Sequence, residues 1–66
     1  MNTNKEGLKT AILLIDNRRA IIKKDLQTLA DASKLIGKEA ITNKFVNLTD
    51  TLMELAILKG ELVDLL

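Results

Sequence analysis

The residues of this chain best suited to chemistry are four cations in its first half, Arg18, Arg19, Lys23 and Lys24. Closely spaced cations neutralise phosphates, so these four are candidate contacts for nucleic acid or for an acidic partner. The net charge of only +1 and the single aromatic residue, Phe45, argue against that use, because they offer little long-range attraction and little base stacking.

Catalytic and metal chemistry finds few suitable residues. Histidine and cysteine are both absent, which removes the commonest general base and every thiolate ligand. Glu61 and Asp64 share a face of a predicted helix, but a lone pair near a helix end is typical of solvated charge. Gly37-Lys38 lacks the upstream glycine and the following Ser or Thr of a phosphate-binding loop. We therefore predict that the protein is not an enzyme and has no catalytic residue, no cofactor and no metal site.

Apolar residues supply the framework that would position those cations. They recur at alternating spacings of four and three, a pattern that predicts the seam of a coiled coil between packed helices. The pattern stops at Gly37 and then restarts. Its members are Leu8, Ile12, Ile15, Arg19, Ile22, Leu26, Leu29, Ser33 and Ile36, then Ile41, Phe45, Leu48, Leu52, Leu55, Lys59, Leu62 and Leu66.

The stripes predict one all-α hairpin domain over residues 1–66. The first helix is expected from about residue 4 to 35, after a capping box formed by Thr3 and Glu6. A turn at 36–38 is expected around Gly37, and a second helix from about 38 to 66. A short turn makes the two helices antiparallel. A break near Asp50, giving three helices, is the alternative, but the second stripe crosses that point without changing phase.

Two cations interrupt the predicted seam, Arg19 in the first helix and Lys59 in the second. The antiparallel pairing places Asp16 beside Lys59 and Glu54 beside Arg19, so two ion pairs are expected. The alternative is that both side chains pack their aliphatic stems and extend their charges to the edge. In either case a shifted register would leave a cation against leucines, which penalises the wrong alignment.

Charge also distinguishes the two halves. Residues 1–38 hold eight cations and four anions, a net of +4, whereas residues 39–66 hold two cations and five anions, a net of −3. The halves should therefore attract each other.

A second stripe beside the seam on the second helix predicts self-association, because a lone hairpin has nothing to cover it. The predicted interface is formed by Val46, Met53, Ala56, Gly60 and Val63. The simplest solution is a homodimer that forms a four-helix bundle. A tetramer, or pairing with a different protein, would also cover this stripe.

These observations favour a small, non-enzymatic interaction or regulatory module that acts through protein–protein contacts. The layout is similar to that of the Rop family of plasmid RNA-binding proteins, hairpins that dimerise into four-helix bundles; this likeness is architectural and involves no shared motif. It implies RNA binding by the basic first helix as an alternative function. A second alternative is an amphipathic protein lying on a membrane surface. Because no signal peptide or membrane span is recognised, a cytoplasmic location is expected.

Overall fold

The protein is an all-α hairpin of two helices packed against each other, as the apolar stripes predict. A computed structural model describes residues 2–66, with side chains from Asn4 onward. Helix α1 spans Asn2–Ile36 and helix α2 spans Thr42–Asp64. Because α1 already includes Thr3, this residue does not precede the helix as a capping box requires, and the predicted cap is wrong in that respect. The Thr3 side chain lies outside the described residues.

Gly37 ends α1 in the way the sequence predicts. Its φ of 90° lies in the left-handed region that glycine adopts without steric cost. Its N–H donates to the Ser33 carbonyl oxygen at 3.0 Å, the hydrogen bond of a helix stop closed by one left-handed residue.

Helix α2 begins later than the stripe predicts, at Thr42 instead of about residue 38. The chain needs the intervening residues to reverse direction and to cross to a second helix axis, which packed helices keep about 8–10 Å away. The Ile41 N–H and the Thr42 hydroxyl both donate to the Lys38 carbonyl oxygen, at 3.2 and 2.7 Å, which closes this turn.

The alternative break near Asp50 does not occur, because α2 runs without interruption from Thr42 to Asp64. The Thr51 hydroxyl donates backward to the Asn47 carbonyl oxygen at 2.9 Å, so it supports the same helix instead of capping a new one.

The core lies along the predicted seam. Ile22 is 2% exposed and Ile15 is 9% exposed, and both belong to α1. Three stripe residues are exposed: Ile36 and Leu66, the last member of each stripe, and Phe45 near the turn. The half-buried seam residues are Leu8, Ile12, Arg19, Leu26, Leu29, Ser33, Ile41, Leu48, Leu52, Leu55, Lys59 and Leu62.

The hairpin is long and thin. Its Cα atoms extend 52 × 14 × 10 Å, and its radius of gyration is 15.5 Å, against about 11 Å for a compact chain of this length. A single layer of two helices has one internal interface, so every apolar residue that lies away from the seam stays in contact with solvent.

Candidate interaction surface

The second stripe of α2 lies outside the seam and is exposed along its length. Val46, Met53 and Val63 are 49%, 59% and 46% exposed, and Ala56 and Gly60 are exposed between them. Each stripe position follows a seam position by one residue, about 100° around the helix. We call the side of the hairpin that carries these five residues the stripe face.

Two threonines extend the stripe face, and their hydroxyls are already hydrogen-bonded. Thr49 Oγ1 donates to the Phe45 carbonyl oxygen at 2.8 Å, and Thr42 Oγ1 donates to that of Lys38 at 2.7 Å. A partner could therefore cover these side chains without leaving an unsatisfied hydroxyl, which would cost about 1–3 kcal/mol.

Packing inside the hairpin does not require the glycine on the stripe face. A Cβ atom built on Gly60 would have no neighbour within 4 Å. Glycine within a helix costs about 1 kcal/mol relative to alanine. Together with Ala56, four residues earlier, Gly60 leaves a shallow strip where a second helix backbone could approach closely.

Near the turn, the stripe face continues into an apolar groove of about 270 Å³. Ala30 and Ser33 of α1 form one wall, and Lys38 of the turn also lines the groove. Residues from the turn and α2 complete the groove: Ile41, Thr42, Phe45 and Val46. Since Val46 also belongs to the stripe, stripe and groove form one continuous apolar surface.

The hairpin has a second exposed apolar face, on the side opposite the stripe face. Thr28 and Lys44 line a groove there. Residues seven positions apart lie on the same side of a helix, so residues at multiples of seven from Thr28 in α1, or from Lys44 in α2, also lie on this face. The exposed apolar residues at those positions are Leu14, Ile21 and Leu35 in α1 and Leu58 and Leu65 in α2. This division into two faces was not predicted from the sequence, although the seven-residue intervals could have indicated it.

The predicted ion pair between Lys59 and Asp16 is present. Lys59 Nζ lies 2.7 Å from Asp16 Oδ1, and the two side chains are 32% and 41% exposed. A partly solvated pair of this kind contributes about 0–1 kcal/mol. It also links the middle of α1 to the last turns of α2, and this link depends on the hairpin register.

The predicted pair between Arg19 and Glu54 is wrong, because these two described residues form no ion pair. Glu54 precedes the seam residue Leu55 and lies about 100° further around α2, where it is exposed. Arg19 is half-buried in the seam, and its Nε atom is buried without a hydrogen-bond partner. The seam therefore contains one paired cation and one whose Nε has no acceptor.

The four candidate cations for nucleic acid or an acidic partner do not share one face. Arg18, Lys23 and Lys24 are exposed, whereas Arg19 lies in the seam. Adjacent helical residues diverge by about 100°, so Arg18 and Arg19 point apart, as do Lys23 and Lys24. The basic character of α1 is thus distributed around the helix.

Over residues 2–66, no group of three or more acidic side chains is placed to hold a metal ion, and neither helix is long and apolar enough to cross a membrane. Comparison with known proteins gives no match to a family model, to a curated protein or to a solved structure.

Proposed function

We propose that this protein is a non-enzymatic interaction module that self-associates through the stripe face. A second copy of the chain covers the stripe and produces a dimeric four-helix bundle. Such a bundle would bind or regulate a partner through its outer surface. Each copy contributes its exposed cations Arg18, Lys23 and Lys24 to that surface.

The accessible surface of the hairpin is the observation that carries this proposal. The chain exposes 5225 Å², whereas a compact monomer of 7.3 kDa exposes about 4,200 Å². The excess of about 1,000 Å² is similar to the area of about 800 Å² that each partner buries in a stable protein interface. Association through one face would therefore bring the exposed area per chain close to that of an ordinary folded protein.

A pair of matched substitutions tests the proposal. Met53 and Leu14 are 59% and 63% exposed in the hairpin, but Met53 lies on the stripe face and Leu14 on the opposite face. We expect Met53→Glu to convert the dimer to monomer, because it would place a carboxylate inside an apolar interface. Leu14→Glu should leave the dimer intact. Light scattering at several protein concentrations measures both, with circular dichroism as the check on helix content.

Two results would contradict the proposal. One is a wild-type chain that remains a folded monomer at concentrations of about 100 μM, a hundred times the Kd of a dimer held by about 8 kcal/mol. The other is equal loss of association in Met53→Glu and Leu14→Glu, which would mean that the contact is not specific to the stripe face.

A further inference from the structure

We propose that the second copy docks with its α2 antiparallel to the first α2, in one defined register; this rests on the proposed self-association. In this register Val46 of each copy lies opposite Val63 of the other, Thr49 lies opposite Gly60, and Met53 lies opposite Ala56. The two-fold axis then crosses α2 between Met53 and Ala56, and all five predicted interface residues are covered.

The sizes of the stripe residues favour this arrangement. In the antiparallel register, the largest side chain, Met53, meets a small one, Ala56, and Thr49 fills the space left by Gly60. A parallel arrangement would place Met53 against Met53 and Gly60 against Gly60, with crowding at one level and a gap at the other. Both crowding and voids weaken a packed interface.

The distribution of charge along the chain also favours the antiparallel arrangement. Lys38 lines the groove at the turn, whereas Glu61 and Asp64 lie near the end of α2. Antiparallel docking brings the acidic end of one copy towards Lys38 of the other. Parallel docking would bring the carboxylates of the two copies together and align the two helix dipoles, both of which are repulsive.

The groove at the turn provides a seat for the end of the partner helix. Phe45 and Val46 line this groove, and Phe45 is 41% exposed although it belongs to the seam pattern. In the proposed register, Val63 of the second copy lies over Val46, at the edge of this groove. Docking therefore covers the exposed seam aromatic together with the stripe.

Disulfide crosslinking tests the register, and the natural chain contributes no cysteine to compete. The Val46→Cys and Val63→Cys variants are prepared separately and then oxidised alone and as an equimolar mixture. Antiparallel docking separates the two copies of residue 46 by about 25 Å along the helix, far beyond the Cα separation of about 7 Å that a disulfide spans. We expect efficient crosslinking in the mixture and little in either variant alone.

A mixture of Val46→Cys with Leu14→Cys, on the opposite face, is the matched control and should not crosslink. Light scattering on the reduced variants shows whether they still associate, so loss of association is measured separately from a wrong register. Self-crosslinking of Val46→Cys, or an associated mixture that does not crosslink, overturns the antiparallel register while leaving self-association standing. If Val46→Cys crosslinks to Ala56→Cys in preference to Val63→Cys, the proposed register is wrong by one heptad.

Discussion

The seam and the stripe face of α2 are neighbouring apolar stripes with the same spacing, yet the hairpin buries one and exposes the other. In the seam, Leu52 and Leu55 are half-buried against α1, which supplies Ile22 at 2% exposure. One residue further around the helix, Met53 is 59% exposed. The difference arises from topology. A two-helix hairpin has one internal interface, whereas α2 carries enough apolar residues for two interfaces.

This difference separates two kinds of stability in one short helix. Contacts in the seam hold the hairpin together within a single chain, and their contribution does not depend on protein concentration. Contacts made by the stripe face would add stability only through association, so their contribution rises with concentration. Substitutions in the two stripes should therefore produce different experimental signatures.

The largest effect is expected from Ile22→Ala in the seam. Truncating a buried isoleucine costs about 2–5 kcal/mol, a large part of the total of about 3–10 kcal/mol expected for a chain of 66 residues. Chemical denaturation followed by circular dichroism should show loss of helix at every protein concentration. Val46→Ala on the stripe face is the control and should alter stability mainly at concentrations where the chain associates. Equal effects of the two changes would mean that the stripe is not distinct from the seam.

An intermediate effect is expected from Gly60→Leu. The hairpin has room for the new side chain, and replacing a helical glycine raises helix stability by up to about 1 kcal/mol. In the dimer the same side chain would meet Thr49 of the second copy, and overpacking of about 1–3 kcal/mol weakens association roughly 5- to 150-fold. Analytical ultracentrifugation should show weaker association alongside unchanged or higher helix content. Gly7→Leu, far from the stripe, should gain helix content without weakening association; an unchanged dimer in Gly60→Leu would refute the assignment of this glycine.

The helices and the seam were predictable from the sequence because their signals are local and periodic. Gly37 is a strong helix stop, and the spacing of four and three between residues such as Ile15 and Ile22 identifies the buried side of each helix. The start of α2 was not predictable to the residue, because the length of the turn depends on the distance between helix axes. That distance depends on how the side chains pack.

The seam cations show where sequence spacing stops being informative. Asp16 and Glu54 were equally good counter-charges by register, since each lies one residue from a seam position. Only Asp16 is paired, because Lys59 reaches it across the helix interface, whereas Glu54 lies on the exposed side of α2. The second exposed face, with Leu14 and Leu58, was not predicted, although its members recur at intervals of seven residues within each helix.

The smallest effect on stability is expected from Arg19→Met, which compares the unpaired seam cation with the paired one, Lys59. The buried Nε of Arg19 has no acceptor, and an unsatisfied buried polar group costs about 1–3 kcal/mol. Methionine keeps an unbranched apolar stem of similar length, so the packing against α2 should survive while the polar group is lost. We expect the free energy of unfolding to rise by about 1 kcal/mol at fixed protein concentration. Lys59→Met, which removes the paired cation and leaves Asp16 alone, should give no gain and a loss of up to about 1 kcal/mol. If both changes raise the free energy of unfolding equally, the ion pair between Lys59 and Asp16 contributes nothing to stability.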